Sequence, residues 1–446
     1  MVTTAEQLSH RLAVEQSDRR LPSVSAAWVR DGEIRWQDAI GTVDARPDGS
    51  PATPDTQYRI GSITKTFVAV LVLRLAEEGR LALDDPLDRY LPGTATASVT
   101  LRSLLSHAGG IRAETDNPWW ERTAGIDEAE LRRQLIARDL AVGHFHYSNV
   151  GYGALGAVVA ALRGRSWLDC VREEILAPLG MSRTTDRPAA PHATGLAVHP
   201  FADVVLGEPE HDAVAMAPAG QLWSTTGDLA RYATFLQAGD DRVLPAAVLA
   251  RMKRPHTWDD PPGQRWSRAY GLGLEILNAD GRRQYGHGGS MPGFLAMLRF
   301  RADGDAILVL TNTTTGLSPT LVGDLLTVVD RSAPRSPTVW HARPDQADRL
   351  ELTGEWFWGP ARLTMHVRPD GWLELVPVGA GRGSRFRRTG ADSWEGQDGY
   401  YLGETLRVIR PAGTRPYLDL ASFRLTRTPY DPDADIPGGV DPAGWS

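Results

Sequence analysis

The stretch running Tyr58, Arg59, Ile60, Gly61, Ser62, Ile63, Thr64, Lys65, Thr66, Phe67 constrains this chain more than any other. Residues 67–73, which follow it, are apolar on every face of a helix, and such a helix belongs inside a core rather than on a surface. Ser62 then stands at the helix N-terminus, where unpaired backbone N–H groups and the positive end of the helix dipole favour a developing negative charge. Lys65 lies one turn further on, on the same face. A serine, a base and an anion site converge there, as nucleophilic acyl transfer requires.

A Ser-x-x-Lys spacing also arises by chance, for example where an N-cap serine precedes a solvated lysine. Composition sharpens the reading. Lys65 and Lys253 are the only lysines, and every other position in the Lys+Arg total of 48 is arginine. Arginine stays protonated, whereas a lysine removed from water can lose its charge near neutral pH. With one of two lysines at the start of an apolar helix, Ser62 and Lys65 are read as a catalytic pair.

Two later stretches carry chemistry of the same kind. In the first, Tyr147 and Asn149 sit on a turn that enters a helix at Gly151. A buried tyrosine near a lysine can share its proton, and Asn149 is expected to orient the lysine and a substrate amide. In the second, Tyr285, Gly286, His287, Gly288, Gly289 and Ser290 precede a strand predicted over residues 294–301. Glycines beside a strand let another backbone approach, as an extended acyl substrate would. His144 and His146 form a His-x-His pair without a third ligand at metal-site spacing, so no metal and no other cofactor is expected.

The 446 residues suffice for two domains or three. A net charge of −7 with interspersed signs argues against a nucleic-acid partner. Cys170 is the only cysteine, which excludes an internal disulfide. The first 20 residues lack an apolar export segment and read as a polar helix with Leu8 and Leu12 on one face; no later run reaches membrane-spanning length. A cytoplasmic protein without membrane contact is expected.

Along the chain, residues 23–29 and 33–40 predict a hairpin about Asp31 and Gly32. A mostly helical middle follows, with helices predicted over 128–140, 151–162, 167–176 and 226–237. Strands return at 270–277, 294–301 and 306–311, and a helix over 318–329 is expected to start at Ser318 and Pro319. Early strands, a helical insert and late strands imply one sheet built from both ends of the segment. Residues 334–344, with Pro334, Pro337 and Pro344, read as a linker between a first domain (1–333) and a second (345–446). In the second, short runs at 362–368, 372–376, 406–409, 417–420 and 423–427 predict an all-β barrel or sandwich.

Taken in order, Ser62-x-x-Lys65, Tyr147-x-Asn149 and His287-x-Gly289 resemble the three motifs of the penicillin-recognising serine enzymes. The branch is that of class C β-lactamases, D,D-carboxypeptidases, D-aminopeptidases and related esterases. PLDRYLP (86–92), LLSHAGG (104–110), LAPLGM (176–181) and GQLWSTT (220–226) extend the resemblance over residues 20–330. It implies an α+β, β-lactamase/transpeptidase-like fold, with an antiparallel sheet flanked by helices and a mostly helical subdomain, followed here by a small lipocalin-like barrel. It makes Ser62 the nucleophile, gives proton transfer to Lys65 and Tyr147, and adds Asn149 and His287 to the catalytic set. It makes the backbone N–H groups of Ser62 and Ser290 an oxyanion hole, and Gly288, Gly289 and Trp223 substrate-binding residues. His287 stands where the β-lactamases carry a lysine that helps bind the substrate carboxylate, which weighs against β-lactamase activity.

The barrel and the missing export segment look most like the penicillin-binding-protein-type thioesterases. These stand-alone enzymes release and macrocyclise nonribosomal peptides with a D-configured C-terminal residue. That resemblance implies a peptide thioester or ester substrate and a peptidyl carrier protein as partner, with Arg427 of the barrel as a polar substrate contact. A hydrolase of the same family, whether esterase, D-peptidase or amidase, is the alternative. A catalytically inactive binding protein on the same scaffold is a third reading, which a covalent serine probe separates from both.

Overall fold

The computed structural model describes residues 2–429, apart from 95, 97, 117–118, 136–142, 280 and 413–414. The chain divides into two compact units, Met1–Arg335 and Ser336–Ser446.

The first unit is built on an eight-stranded antiparallel sheet. Its order is Glu33–Gly41, Ser23–Arg30, Asp305–Thr311, Phe294–Arg301, Arg282–Met291, Glu275–Ala279, Arg268–Tyr270 and Thr257–Asp259. The expected closure from both ends of the segment is seen in the register of the second and third strands, Val24 opposite Thr311 and Ala26 opposite Val309. Successive side chains leave a strand on opposite faces, and here both faces are covered. Val24, Ala26, Trp28, Ile307 and Val309 pack against the helices Thr4–Asp18 and Leu321–Ser332, through Leu8, Leu12, Leu325 and Val329. Ala27, Val29, Leu308 and Leu310 join the larger core on the other face, which contains the helix Thr64–Glu77. Residues 67–73 of that helix are all at most 1% exposed, as their uniform apolarity predicts.

Several predicted boundaries shift. Residues 285–290 precede the strand Phe294–Arg301 as expected, but they are themselves part of a strand, Arg282–Met291, paired with it. The run predicted at 270–277 is broken by the Gly271–Leu274 turn into Arg268–Tyr270 and Glu275–Ala279. The last helix starts at Leu321 with Thr320 at its N-cap rather than at Ser318, whose N–H donates instead to Glu15 Oε1 at 2.7 Å. The helix at 128–140 is seen as Glu128–Gln134, and residues 136–140 lie outside the described set. The second helix of the middle region is Asn149–Arg163, capped by Ser148, whose Oγ accepts from Gly151 N at 2.9 Å.

The second unit is an eight-stranded antiparallel meander running in chain order from Gly354–Trp358 to Phe423–Leu425. Paired hydrogen bonds between Phe357 and Thr426 join its first strand to the residue after its last, closing the sheet into a nearly complete barrel. Trp356, Leu375, Phe386, Trp394, Leu406 and Leu420 fill the interior.

Candidate active site

A tight 3-10 turn, Gly61–Ile63, runs directly into the helix Thr64–Glu77 and holds Ser62 at its mouth. Gly61 has φ +51, and a Cβ there would lie 2.5 Å from Ser290 N, so the turn and the strand Arg282–Met291 meet without room for a side chain. The same closeness recurs at Gly289, where a Cβ would fall 1.9 Å from the Ile60 carbonyl. This contact brings Ser290 beside Ser62, and both border one cleft of about 420 Å³. Gly288, Gly289, Tyr147, His287 and Glu275 also line it, with an apolar wall that includes Phe145, Leu295, Met297 and Leu317.

Lys65 is fully buried, its Nζ 2.9 Å from Ser62 Oγ and 2.7 Å from the Ala219 carbonyl. Burial brings its ammonium down to about 7, against the opposing pull of Glu114, Glu121 and Glu275. Tyr147 borders the cleft together with Ser62, and its ring centroid is 5.0 Å from Lys65 Nζ. Burial pushes its pKa well above the ordinary phenol range, against the opposing pull of the nearby serine. A neutral amine next to a neutral phenol can take the serine proton and pass it on. Burial, which favours the neutral form of both groups, therefore favours Lys65 as the acceptor over a phenolate at Tyr147.

Asn149 does not orient the lysine. Its Nδ2 donates to Glu114 Oε1 at 2.6 Å, and the group that holds Lys65 besides Ser62 is the Ala219 carbonyl. Glu114 is fixed in turn by the Trp120 indole, 2.6 Å from its Oε2.

His287 is 2% exposed, and both ring nitrogens are engaged within the protein. Gly288 O can only accept, so His287 Nδ1 carries the proton and Nε2 accepts from the Tyr270 hydroxyl. Burial takes the imidazole down to about 4. It is neutral at pH 7, brings no cation to the cleft, and offers no free lone pair for proton transfer. Beside it, Glu275 would be raised by burial but is held at about 2, chiefly by its ion pair with Arg299.

Trp223 is not a wall of the cleft. It is 3% exposed, opposite Arg59 in a two-stranded pairing, with its ring edge-on to Phe294 at 4.9 Å. Arg427 is committed within the barrel. Its Nη1 donates to the carbonyls of Thr353 and Glu355 at 2.8 and 2.9 Å, its Nη2 to that of Glu351, and its guanidinium lies 3.8 Å from the Trp356 ring centroid. A buried tryptophan and these three carbonyls account for an arginine in that place without a substrate.

Among the described residues no three His, Cys, Asp or Glu side chains gather as a metal site, and no helix is long and apolar enough to cross a membrane.

Comparison with known proteins agrees with this architecture. Residues 345–427 match a family described as a domain of unknown function (DUF7586). Penicillin-binding protein 4 of Amycolatopsis lactamdurans is 26% identical over 365 residues, 76% of this chain and 94% of that protein. The octameric penicillin-binding protein homologue from Pyrococcus abyssi shares the fold, with a TM-score of 0.63 at 21% identity over 94% of this chain and 99% of that one. The D-amino acid amidase of Ochrobactrum anthropi SV3, complexed with D-phenylalanine, gives a TM-score of 0.60 at 26% identity over 73% of this chain and 98% of that one. The family model described as Beta-lactamase matches residues 6–328, and this chain belongs to that family of penicillin-binding-protein-like serine hydrolases.

Proposed function

We propose that this protein is a serine acyl-transfer hydrolase that forms an ester on Ser62 from the amide, ester or thioester of a peptidyl substrate with a D-configured reacting residue. One observation carries the reading: Lys65 Nζ lies 2.9 Å from Ser62 Oγ, and burial brings that amine down to about 7. In this scheme Lys65 takes the Ser62 proton as Oγ attacks the acyl carbon. Tyr147 relays the proton to the leaving group, and the N–H groups of Ser62 and Ser290 receive the oxyanion. The preference for a D-residue rests on the similarity to the D-amino acid amidase.

The second step admits two acceptors. Water gives hydrolysis. The substrate's own N-terminal amine gives a ring, which requires a chain folded back inside the cleft, where the amine competes at high effective concentration. The apolar wall of Phe145, Leu295, Met297 and Leu317 favours holding such a chain. A carrier-bound thioester would then be the donor and a peptidyl carrier protein the partner.

The test offers matched D- and L-terminated peptide amides, esters and thioesters, each with a free or acetylated N-terminus. A D-selective acyl-enzyme is expected. Linear acid from both N-terminal forms supports hydrolysis, and macrocycle from the free-amine thioester alone supports cyclisation. Equal turnover of L- and D-substrates would overturn the stereochemical part of the proposal.

A further inference from the structure

His107, in the LLSHAGG segment, is 1% exposed and adopts φ +57, a left-handed conformation that strains a non-glycine residue. Such strain persists only where the surroundings over-determine it. Here the His107 carbonyl accepts from His146 N at 2.7 Å, and its Nδ1 accepts from Ser148 N at 3.0 Å. One residue thus binds the peptide N–H groups on both sides of Tyr147. Its ring also lies against the Tyr147 ring, with centroids 4.2 Å apart and planes inclined by 32°. The same loop continues the grip, since Ser148 Oγ donates to Arg112 O at 2.7 Å and Asn149 N to Ala113 O at 2.9 Å.

Because Nδ1 accepts, the ring proton is on Nε2, and that atom is buried without a hydrogen-bond partner among the described residues. The His107 ring is surrounded by the rings of Tyr152, Tyr270 and Phe145, at centroid distances of 5.2, 4.5 and 6.0 Å. A buried N–H left unpaired is destabilising. Strain and an orphan donor thus meet on the residue that packs against Tyr147, which shares its cleft with Ser62.

We propose that His107 is the positioning residue for Tyr147, pinning its peptide from both sides and its ring from one face so that the phenol keeps its reach to Ser62. This rests on the acyl-transfer reading, in which Tyr147 relays a proton.

The experiment is a double-mutant cycle read by the single-turnover rate of Ser62 acylation by a D-terminated peptide amide, whose leaving amine must be protonated, alongside fluorophosphonate labelling of Ser62 and thermal melting. His107→Phe keeps a ring but loses the acceptor. His107→Asn places Oδ1 where Nδ1 stood and tolerates the left-handed backbone. His107→Gly relieves the strain and removes both contacts, and it substitutes for the Phe variant should that one not fold. His107→Phe or His107→Gly should slow acylation on the order of 10- to 100-fold, as misplaced catalytic groups do, and His107→Asn should recover most of the rate. In a Tyr147→Phe background the same changes should cost less than about twofold, because the partner they act through is gone. A folded variant acylating at the wild-type rate, or a full multiplicative loss in the Tyr147→Phe background, would overturn the positioning role alone. Failure of the wild-type protein to label at Ser62 would overturn the acyl-transfer reading, and this proposal with it.

Discussion

The two lysines show how burial assigns a role. Lys253 donates to the carbonyls of Leu236 and Gln237 at the end of the helix Thr226–Ala238, a capping contact that suits a charged ammonium. Lys65 meets one serine and one carbonyl and is fully buried, and its pKa falls from 10.5 to about 7. Acylation needs the free amine, so kcat/KM should rise with pH through an inflection near 7. Replacing Lys65→Arg keeps the charge but removes the titration. It should lower acylation by a factor on the order of 100 or more and abolish that inflection, which a pH series of single-turnover rates would show. The same shift acts on stability. Because the folded pKa lies below the unfolded one, the unfolded chain binds more protons between about 7 and 10.5, and this group makes the fold less stable as pH falls through that window. Lys65→Met should therefore melt higher than wild type at pH 6, with the difference shrinking as pH approaches 10. A constant difference would contradict the assigned shift.

At the scale of elements, the site depends on the strand Arg282–Met291 lying flush against the Gly61–Ile63 turn. Neighbouring glycines on that strand differ in what a methyl group would meet. At Gly289 it would collide with the Ile60 carbonyl, whereas at Gly288 it would make ordinary contact with Met297 Sδ at 3.5 Å. Gly289→Ala should destabilise the first unit by about 1–3 kcal/mol and sharply reduce labelling of Ser62, while Gly288→Ala should stay within about 0.5 kcal/mol of wild type in denaturant melts. Much of this arrangement was legible in the sequence, and the exceptions have physical reasons. Ser62, Lys65 and Tyr147 are readable because each carries its chemistry in its own side chain at a short spacing or beside a helix start. The Ala219 carbonyl that holds Lys65 is unreadable, since any residue supplies one. The Glu114–Asn149 and Tyr270–His287 pairs join residues 35 and 17 positions apart, which only the tertiary fold brings together. The glycine run at 286–289 hid a strand because glycine is depleted from strands in general. In the barrel, Ser384–Arg388 and Ser393–Gly396 escaped detection because each offers one large apolar side chain, Phe386 or Trp394, among polar neighbours.

Over the whole molecule, Ser62, Lys65, Tyr147 and the cleft that Ser62 and Tyr147 border all lie in the unit Met1–Arg335. The second unit has its own core and its own ring of strand pairings. Arg427 belongs to that second core, stacked on Trp356 and tied to the Glu351, Thr353 and Glu355 carbonyls. Arg427→Ala should thus lower the stability of the barrel by about 1–3 kcal/mol through lost hydrogen bonds and packing, and leave the rate of Ser62 acylation unchanged. A changed product ratio with an unchanged barrel melt would instead return Arg427 to the substrate. The claim on which everything else depends is that Ser62 is the nucleophile. Intact-mass and peptide-mapping mass spectrometry after fluorophosphonate treatment tests it most directly. One adduct per chain on the peptide containing Ser62, absent from Ser62→Ala, is the predicted result; full labelling of Ser62→Ala, or an adduct on another residue, would contradict it.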